Sequence, residues 1–465
     1  MIKLKVILII LVCLSGISTS WAQVSLAKIG NGANEFELVK SGKSAELYYD
    51  VRDFEVVKKV ANLFGDDIRL VTGREIAVSE VGENMSSNCI IVGTLGYNEM
   101  IDKLILKKKL DVSALKNKWE SFHVEVICNP FPGVKKALVI VGSDRRGTAY
   151  GLFSISEAIG ISPWDWWADA PVDKRKELCL KVQKITSKEP TVKYRGIFIN
   201  DEDWGLLRWA KTNFEEERGN IGPKTYAKVC ELLLRLKANY LCPAMHEAST
   251  AFNKIPENKL VADSFAIVMG SVHCEPLLFN NASEWDKRTM GEWDYVNNKE
   301  TLNRVLKQRV LDNSPYENVY TLALRGLHDK AMGGSGNMKE RVKLLSDALN
   351  AQRQILIDVI KKPANEIPQA FTPYKEVLDV YNAGLELPDD VTIIWPDDNY
   401  GYMKRLSSPR EQKRSGRAGV YYHVSYLGKP HDYLWMSTVS PALMYEELRK
   451  AYDTTADRIW LLNVG

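Results

Sequence analysis

The 465 residues, 45% of them hydrophobic, suffice for two or three buried cores. Lysine and arginine number 62 against 59 aspartate and glutamate, a net charge of +3, too slight a field to draw in nucleic acid or an anionic membrane surface. Twelve Trp and twenty Tyr suit core packing and equally suit stacking on the C–H faces of pyranose rings.

At the N-terminus Lys3 and Lys5 lead into the apolar run 6–14, which ends in small polar residues before Ser20-Trp21-Ala22. That pattern reads as a signal peptide over residues 1–22, cleaved after Ala22, and as a secreted or periplasmic location. Val12 stands before Cys13 where lipoprotein processing needs a small residue. No later apolar run is long enough to span a bilayer, so no membrane partner is expected. Cys89, Cys128, Cys179, Cys230, Cys242 and Cys274 are widely spaced without a CxxC pair, which predicts buried thiols rather than a disulfide framework or zinc site.

Residues 23–188 read as an N-terminal α/β domain. Its strand candidates are 45–49, 89–92, 122–127 and 137–141, and Val56, Val57, Val60, Leu63 and Phe64 share helical spacing in a helix over 54–64. A Gly-bounded turn, 142–151, feeds a helix over 149–159, and Trp164, Trp166 and Trp167 follow as candidates for packing between domains. The stretch 187–190 is the expected linker.

From residue 189 the period changes. Eight short apolar runs, 193–199, 239–244, 266–270, 319–324, 369–372, 391–395, 419–425 and 458–463, each end in a polar or Gly/Pro turn. Helical stripes lie between most of them, such as Tyr226, Val229, Leu233 and Leu236, or Val342, Leu345, Leu349, Leu356 and Ile360. Strand and helix alternating in this way predict a (β/α)8 TIM barrel over 189–465, lacking its last helix because the sequence stops just after the eighth run.

Chemistry in such barrels sits where the strands end. Four of the six histidines, His246, His273, His328 and His423, fall at those ends, too many for chance. Arg325 and Lys375 offer a fork of donors and a point charge for a carboxylate ligand, with pairing inside the barrel mouth as the bland alternative. Asp203, Asp397, Asp398 and Asn399 suit sugar hydroxyls or a water, and equally suit capping of the next helix. Tyr426, three residues after His423, completes the candidate binding set, while Asp329 and Glu376 are two carboxylates at neighbouring strand ends. No HExxH or facial-triad spacing is present, so neither a metal nor another cofactor is expected.

The stretch from Tyr194 to Glu202, the run from Asn258 to Asp263 leading into Ile267-Val-Met-Gly270, Arg325-Gly with Asp329 and Met332, Trp395-Pro-Asp-Asp-Asn399, and residues 142–169 together resemble glycoside hydrolase family 115. The resemblance covers nearly all the chain after the leader. It implies an α-glucuronidase that releases glucuronic acid, often 4-O-methylated, from glucuronoxylan by inversion. It also implies a helical domain and a β-sandwich after the barrel, which this sequence does not contain. The expected partner is a glucuronic-acid-bearing polysaccharide or oligosaccharide, and a homodimer of the full-length protein is left open.

Three strand ends depart from the family pattern: Cys242-Pro-Ala-Met-His246, His273-Cys-Glu-Pro-Leu277 and Arg325-Gly-Leu-His-Asp329 stand where better-known members resemble one another in Trp-Pro-Ala-Met-Trp, His-His-Glu-Pro-Met and Arg-Gly-Asp-Gly-Asp. These differences keep two alternatives in view, a glucuronidase for another glycan such as arabinogalactan and a non-catalytic glycan-binding relative. Inversion needs an acid for the leaving oxygen and a carboxylate to activate water, about 6.5–9.5 Å apart. Asp329 is the expected acid and Glu376 its partner, with Asp203 or Asp398 as the alternative base. Arg325 and Lys375 set a tension, since cations favour the ionised carboxylate whereas an acid must hold its proton.

Overall fold

The computed structural model describes residues 24–26, 32–82, 85–333, 336–428, 431–434 and 438–464; the expected leader, 1–22, lies outside the described residues. The chain divides into two compact units, Met1–Glu189 and Pro190–Gly465.

In the first unit a six-stranded sheet runs in the order Ile185–Thr186, Phe122–Cys128, Lys136–Gly142, Asn88–Thr94, Glu46–Tyr49 and Val78–Glu80. A second sheet of four antiparallel strands, Val24–Leu26, Leu178–Val182, Glu35–Lys40 and Lys43–Ser44, had no counterpart in the strand candidates. The helix Glu55–Thr72 continues two turns past the expected 54–64, because Ile68 and Val71 extend the buried stripe of Val56, Val60 and Phe64; left-handed Gly73 stops it by donating to the Arg69 carbonyl. The helix Arg145–Ala158 starts at Asp144, whose carboxylate accepts from the N–H groups of Arg146 and Gly147. Among the described cysteines Cys128 is exposed, the other five are buried, and none is in a disulfide. No helix among the described residues is long and apolar enough to cross a membrane.

The second unit is a closed parallel barrel. Its strands are β1 (Tyr194–Ile199), β2 (Tyr240–Cys242), β3 (Val268–Met269), β4 (Tyr320–Thr321), β5 (Gln369–Phe371), β6 (Thr392–Pro396), β7 (Ala418–His423) and β8 (Ile459–Val464), and every one falls on a predicted run. β1 pairs with β2 and β8, and the ladder continues to β3 on one side and β4 on the other. The Met269 N–H to Glu317 carbonyl bond of 3.0 Å and the Val319 N–H to Met269 carbonyl bond of 2.9 Å join β3 to β4 and shut the ring. Phe198, Tyr240, Val268, Ala370, Ile394, Tyr421 and Leu461 fill the interior. At Gly196 a Cβ atom would stand 1.6 Å from the Tyr240 carbonyl oxygen, so only glycine lets β1 lie this close to β2.

Helices α1 (Pro223–Arg235), α2 (Pro256–Ser264), α3 (Lys299–Asn313), α4 (Met338–Ile360), α5 (Glu376–Asn382) and α6 (Pro441–Asp453) follow β1, β2, β3, β4, β5 and β7. α4 opens on a capping box between Asn337 and Glu340 and buries Leu345, Leu349 and Leu356 against α3. Each of those leucines contributes about 1.5–3 kcal/mol, more than helix propensity does. After β6 the chain runs to β7 through an irregular segment with one 3-10 turn, Glu411–Lys413.

Candidate active site

The strand ends enclose a cavity of about 400 Å³, lined by Asp203 after β1, His246 and Glu247 after β2, His273 after β3, His328 and Asp329 after β4, Tyr374 and Lys375 after β5, and Tyr421, His423 and Tyr426 at β7. Seven of the twelve expected site residues line it: Asp203, His246, His273, Asp329, Lys375, His423 and Tyr426. The other five, Arg325, Glu376, Asp397, Asp398 and Asn399, do not appear in that lining.

Arg325 is buried and tied up. Its Nη1 pairs with Asp329, and its Nε and Nη2 donate to the two Glu376 oxygens at 3.3 and 3.0 Å. Glu376 also accepts from the Met332 N–H at 2.9 Å. The fork expected to hold a ligand carboxylate thus holds two of the protein's own, by pairing inside the barrel mouth.

Asp329 collects three cationic or polar donors: Arg325, Lys375 Nζ at 3.3 Å and His273 Nε2 at 2.9 Å. Burial by itself would raise its pKa, but His273, Arg325 and Lys375 outweigh it and hold the carboxyl well below the usual carboxylate range. The carboxyl expected as the acid is thus favoured in its ionised form by its cationic neighbours, the tension already present in the sequence. Burial lowers His273, with Arg325 and Lys375 acting the same way against the pull of Asp329. A neutral imidazole donating Nε2–H to Asp329 fits this better than an ion pair. His328, Asp329, Lys375 and Asn399 all have left-handed φ, from 51° to 73°, a conformation that costs a side-chain-bearing residue about 1–2 kcal/mol and recurs at functional sites.

On the β6–β7 side, His423 is 1% exposed and its Nδ1 bonds the Asp397 carboxylate, which leaves Nε2 as the ring atom available to the cavity. Asp397 is fixed in turn by the Gly401 N–H at 2.9 Å. Asn399 accepts from the Tyr374 hydroxyl at 2.9 Å, and Asp398 caps its own turn through the N–H groups of Tyr400 and Tyr402.

On the β1–β2 side His246 Nδ1 lies 3.3 Å from Asp203 Oδ1. Beneath them Glu202, fully buried, accepts from the His246 N–H and the Ser249 hydroxyl, and burial raises its pKa. Glu247 pairs with His328 Nδ1 at 2.5 Å.

The family model for glycosyl hydrolase family 115 matches residues 187–465. A solved family 115 4-O-methyl-α-glucuronidase, reported to be specific for decorated arabinogalactans, matches with 41% identity and a TM-score of 0.83, over 92% of this chain and 55% of that one. The chain belongs to glycosyl hydrolase family 115. It spans about half the length of that solved relative. A family 138 enzyme targeting pectin rhamnogalacturonan II (11% identity, TM-score 0.51, 90% of this chain and 58% of that one) and an N-acetyl-β-hexosaminidase of Streptomyces plicatus (11%, 0.50, 94% and 84%) share the fold. No curated protein matches the sequence.

In this family 115 chain two sets of side chains bring metal-competent donors within 4.8 Å of one another among the described residues, His273 with Cys274 and Asp329, and Glu202 with Asp203 and His246. Hydrogen bonds His273–Asp329 and His246–Asp203 account for the closeness in each. Tyr421 is a lining residue that sequence reading passed over. Its position two residues before His423 on one strand was the available signal, since alternate strand residues share a face.

Proposed function

We propose that the chain is the catalytic portion of an α-glucuronidase in which ionised Asp329 activates the attacking water. The observation that carries the reading is Asp329 itself, a cavity-lining carboxylate kept charged by Arg325 and Lys375 in a member of a glycosidase family. Lys375, 47% exposed in side chain, supplies a cation to the uronate carboxylate, a role Arg325 cannot take while it spans two carboxylates. Asp203 on the β1 side, which lines the cavity with Asp329 and the rim residue Glu247, serves as acid. Water attacks the anomeric carbon and gives its proton to Asp329, while the glycosidic C–O bond breaks and the leaving oxygen takes the proton of Asp203. Glu376 acts through Arg325 as a positioning residue.

The glycan assigned is a glucuronic-acid-capped arabinogalactan rather than glucuronoxylan. Support comes from the specificity reported for the 41% identical relative and from His246 where the xylan-type pattern carries tryptophan. Export under the leader read at residues 1–22 would bring the protein to such polymers.

The test is release of uronic acid from a panel of capped arabinogalactans and glucuronoxylans by the wild type, Asp203→Asn and Glu376→Gln, beside an aryl glucuronide with a good leaving group. The reading expects arabinogalactan to be the better substrate, and Asp203→Asn to lose about 10²–10³-fold on the glycan and far less on the aryl glucuronide. That leaving-group pattern in Glu376→Gln instead would assign the acid's role to Glu376.

A further inference from the structure

Side-chain exposure divides the cavity by depth. His423 and His273 lie at the floor at 1% and 6%, whereas His328 and Glu247 stand at the rim at 36% and 64%. The two rim groups come from different strand ends, β2 and β4, and meet at 2.5 Å, so together they span one side of the mouth. His328 holds this position with φ at +54°, a left-handed backbone that glycine adopts at no cost. An exposed side-chain pair offsets little of that strain, since even charged pairs at the surface contribute about 0–1 kcal/mol. Strain retained beside the reacting Asp329 points to use of the side chain rather than to stability. The cavity of about 400 Å³ exceeds what one pyranose ring fills. Apolar Ala248, Ala282 and Leu427 also line it, surface suited to the C–H face of a second ring.

We propose that Glu247 and His328 form a binding position for the sugar that carries the glucuronic acid, reading its hydroxyls with one acceptor and one ring nitrogen. This rests on the glucuronidase reading, in which the terminal uronic acid occupies the floor and the rest of the glycan must leave over the rim.

The test is calorimetric, on the full chain, with free glucuronic acid and with a non-hydrolysable disaccharide in which glucuronic acid is α-S-linked to galactose. The ratio of the two affinities is the readout. Wild type is expected to prefer the disaccharide at least tenfold. Glu247→Gln and His328→Ala should each pull the ratio toward one, while His328→Asn, which tolerates the left-handed backbone and keeps hydrogen-bonding capacity, retains most of it. His328→Gly relieves the backbone and should melt no lower than wild type while losing the preference. A ratio unchanged in Glu247→Gln, His328→Ala and His328→Gly, or both ligands weakened in proportion, as a purely structural contact would give, overturns the proposal. Wild type that binds free glucuronic acid without favouring the disaccharide overturns it alone. Wild type that binds neither ligand overturns the glucuronidase reading and this proposal with it.

Discussion

At the floor of the cavity each working group is fixed by a partner behind it: His423 by Asp397, Asp329 by Arg325, and Arg325 by Glu376. At the rim Asp203, His246, His328 and Glu247 are a third or more exposed, or nearly so, and bond to one another in pairs. His423 ends β7, whereas Arg325, Asp329 and the rim groups stand on the segments that follow the strands. A preorganised floor suits a reaction whose charges must be met without rearrangement. A solvated rim suits discrimination among glycans, because exposed pairs can change partners at little cost.

The floor is most sensitive at Asp329. Asp329→Asn keeps the size of the side chain and removes the ionised oxygen, so turnover should fall about 10³-fold or more on both the natural glycan and an aryl glucuronide. Loss on the glycan alone would make Asp329 the acid and undo the floor as described. Asp397→Asn should cost less, about 10²-fold in turnover with the fold intact by circular dichroism, because it frees the His423 ring to rotate or change tautomer. An unchanged rate would place His423 outside the chemistry.

The smallest effect concerns Glu275, two residues past His273. Burial, together with Glu284 and Glu202, pushes its carboxyl up to about 8. A folded-state pKa above the unfolded value contributes stability that is fully present below about pH 4.3 and is lost as pH rises through 8. Wild type should therefore melt lower at pH 8 than at pH 5, and Glu275→Gln should flatten that slope by a few degrees. An identical slope in the variant would mean that Glu275 is not the group titrating.

The barrel was legible in the sequence because each strand is a short apolar run closed by a turn, and a parallel strand covered on both faces needs nothing else. The second sheet of the first unit was not. Its strands, such as Glu35–Lys40 and Leu178–Val182, carry charged residues among the apolar ones and pair across more than a hundred residues. The strand-end rule likewise found the region of the site, but not which residues face the cavity. Several strands have two or three ladder residues, and His328, Asp329, Lys375 and Asn399 then turn through left-handed backbone, so side-chain direction is set by loop geometry that has no period. That is why Arg325 and Asp397, expected to bind ligand, and Glu376, expected to act in catalysis, stand outside the cavity lining.

The most direct test of the account is proton NMR of the first minutes of reaction on an α-linked glucuronic-acid glycan. Water activated by Asp329 and a leaving oxygen protonated from the opposite wall predict β-glucuronic acid as the first product, with the α anomer growing in later by mutarotation. An α anomer formed first, or no uronic acid from any such glycan, would contradict it.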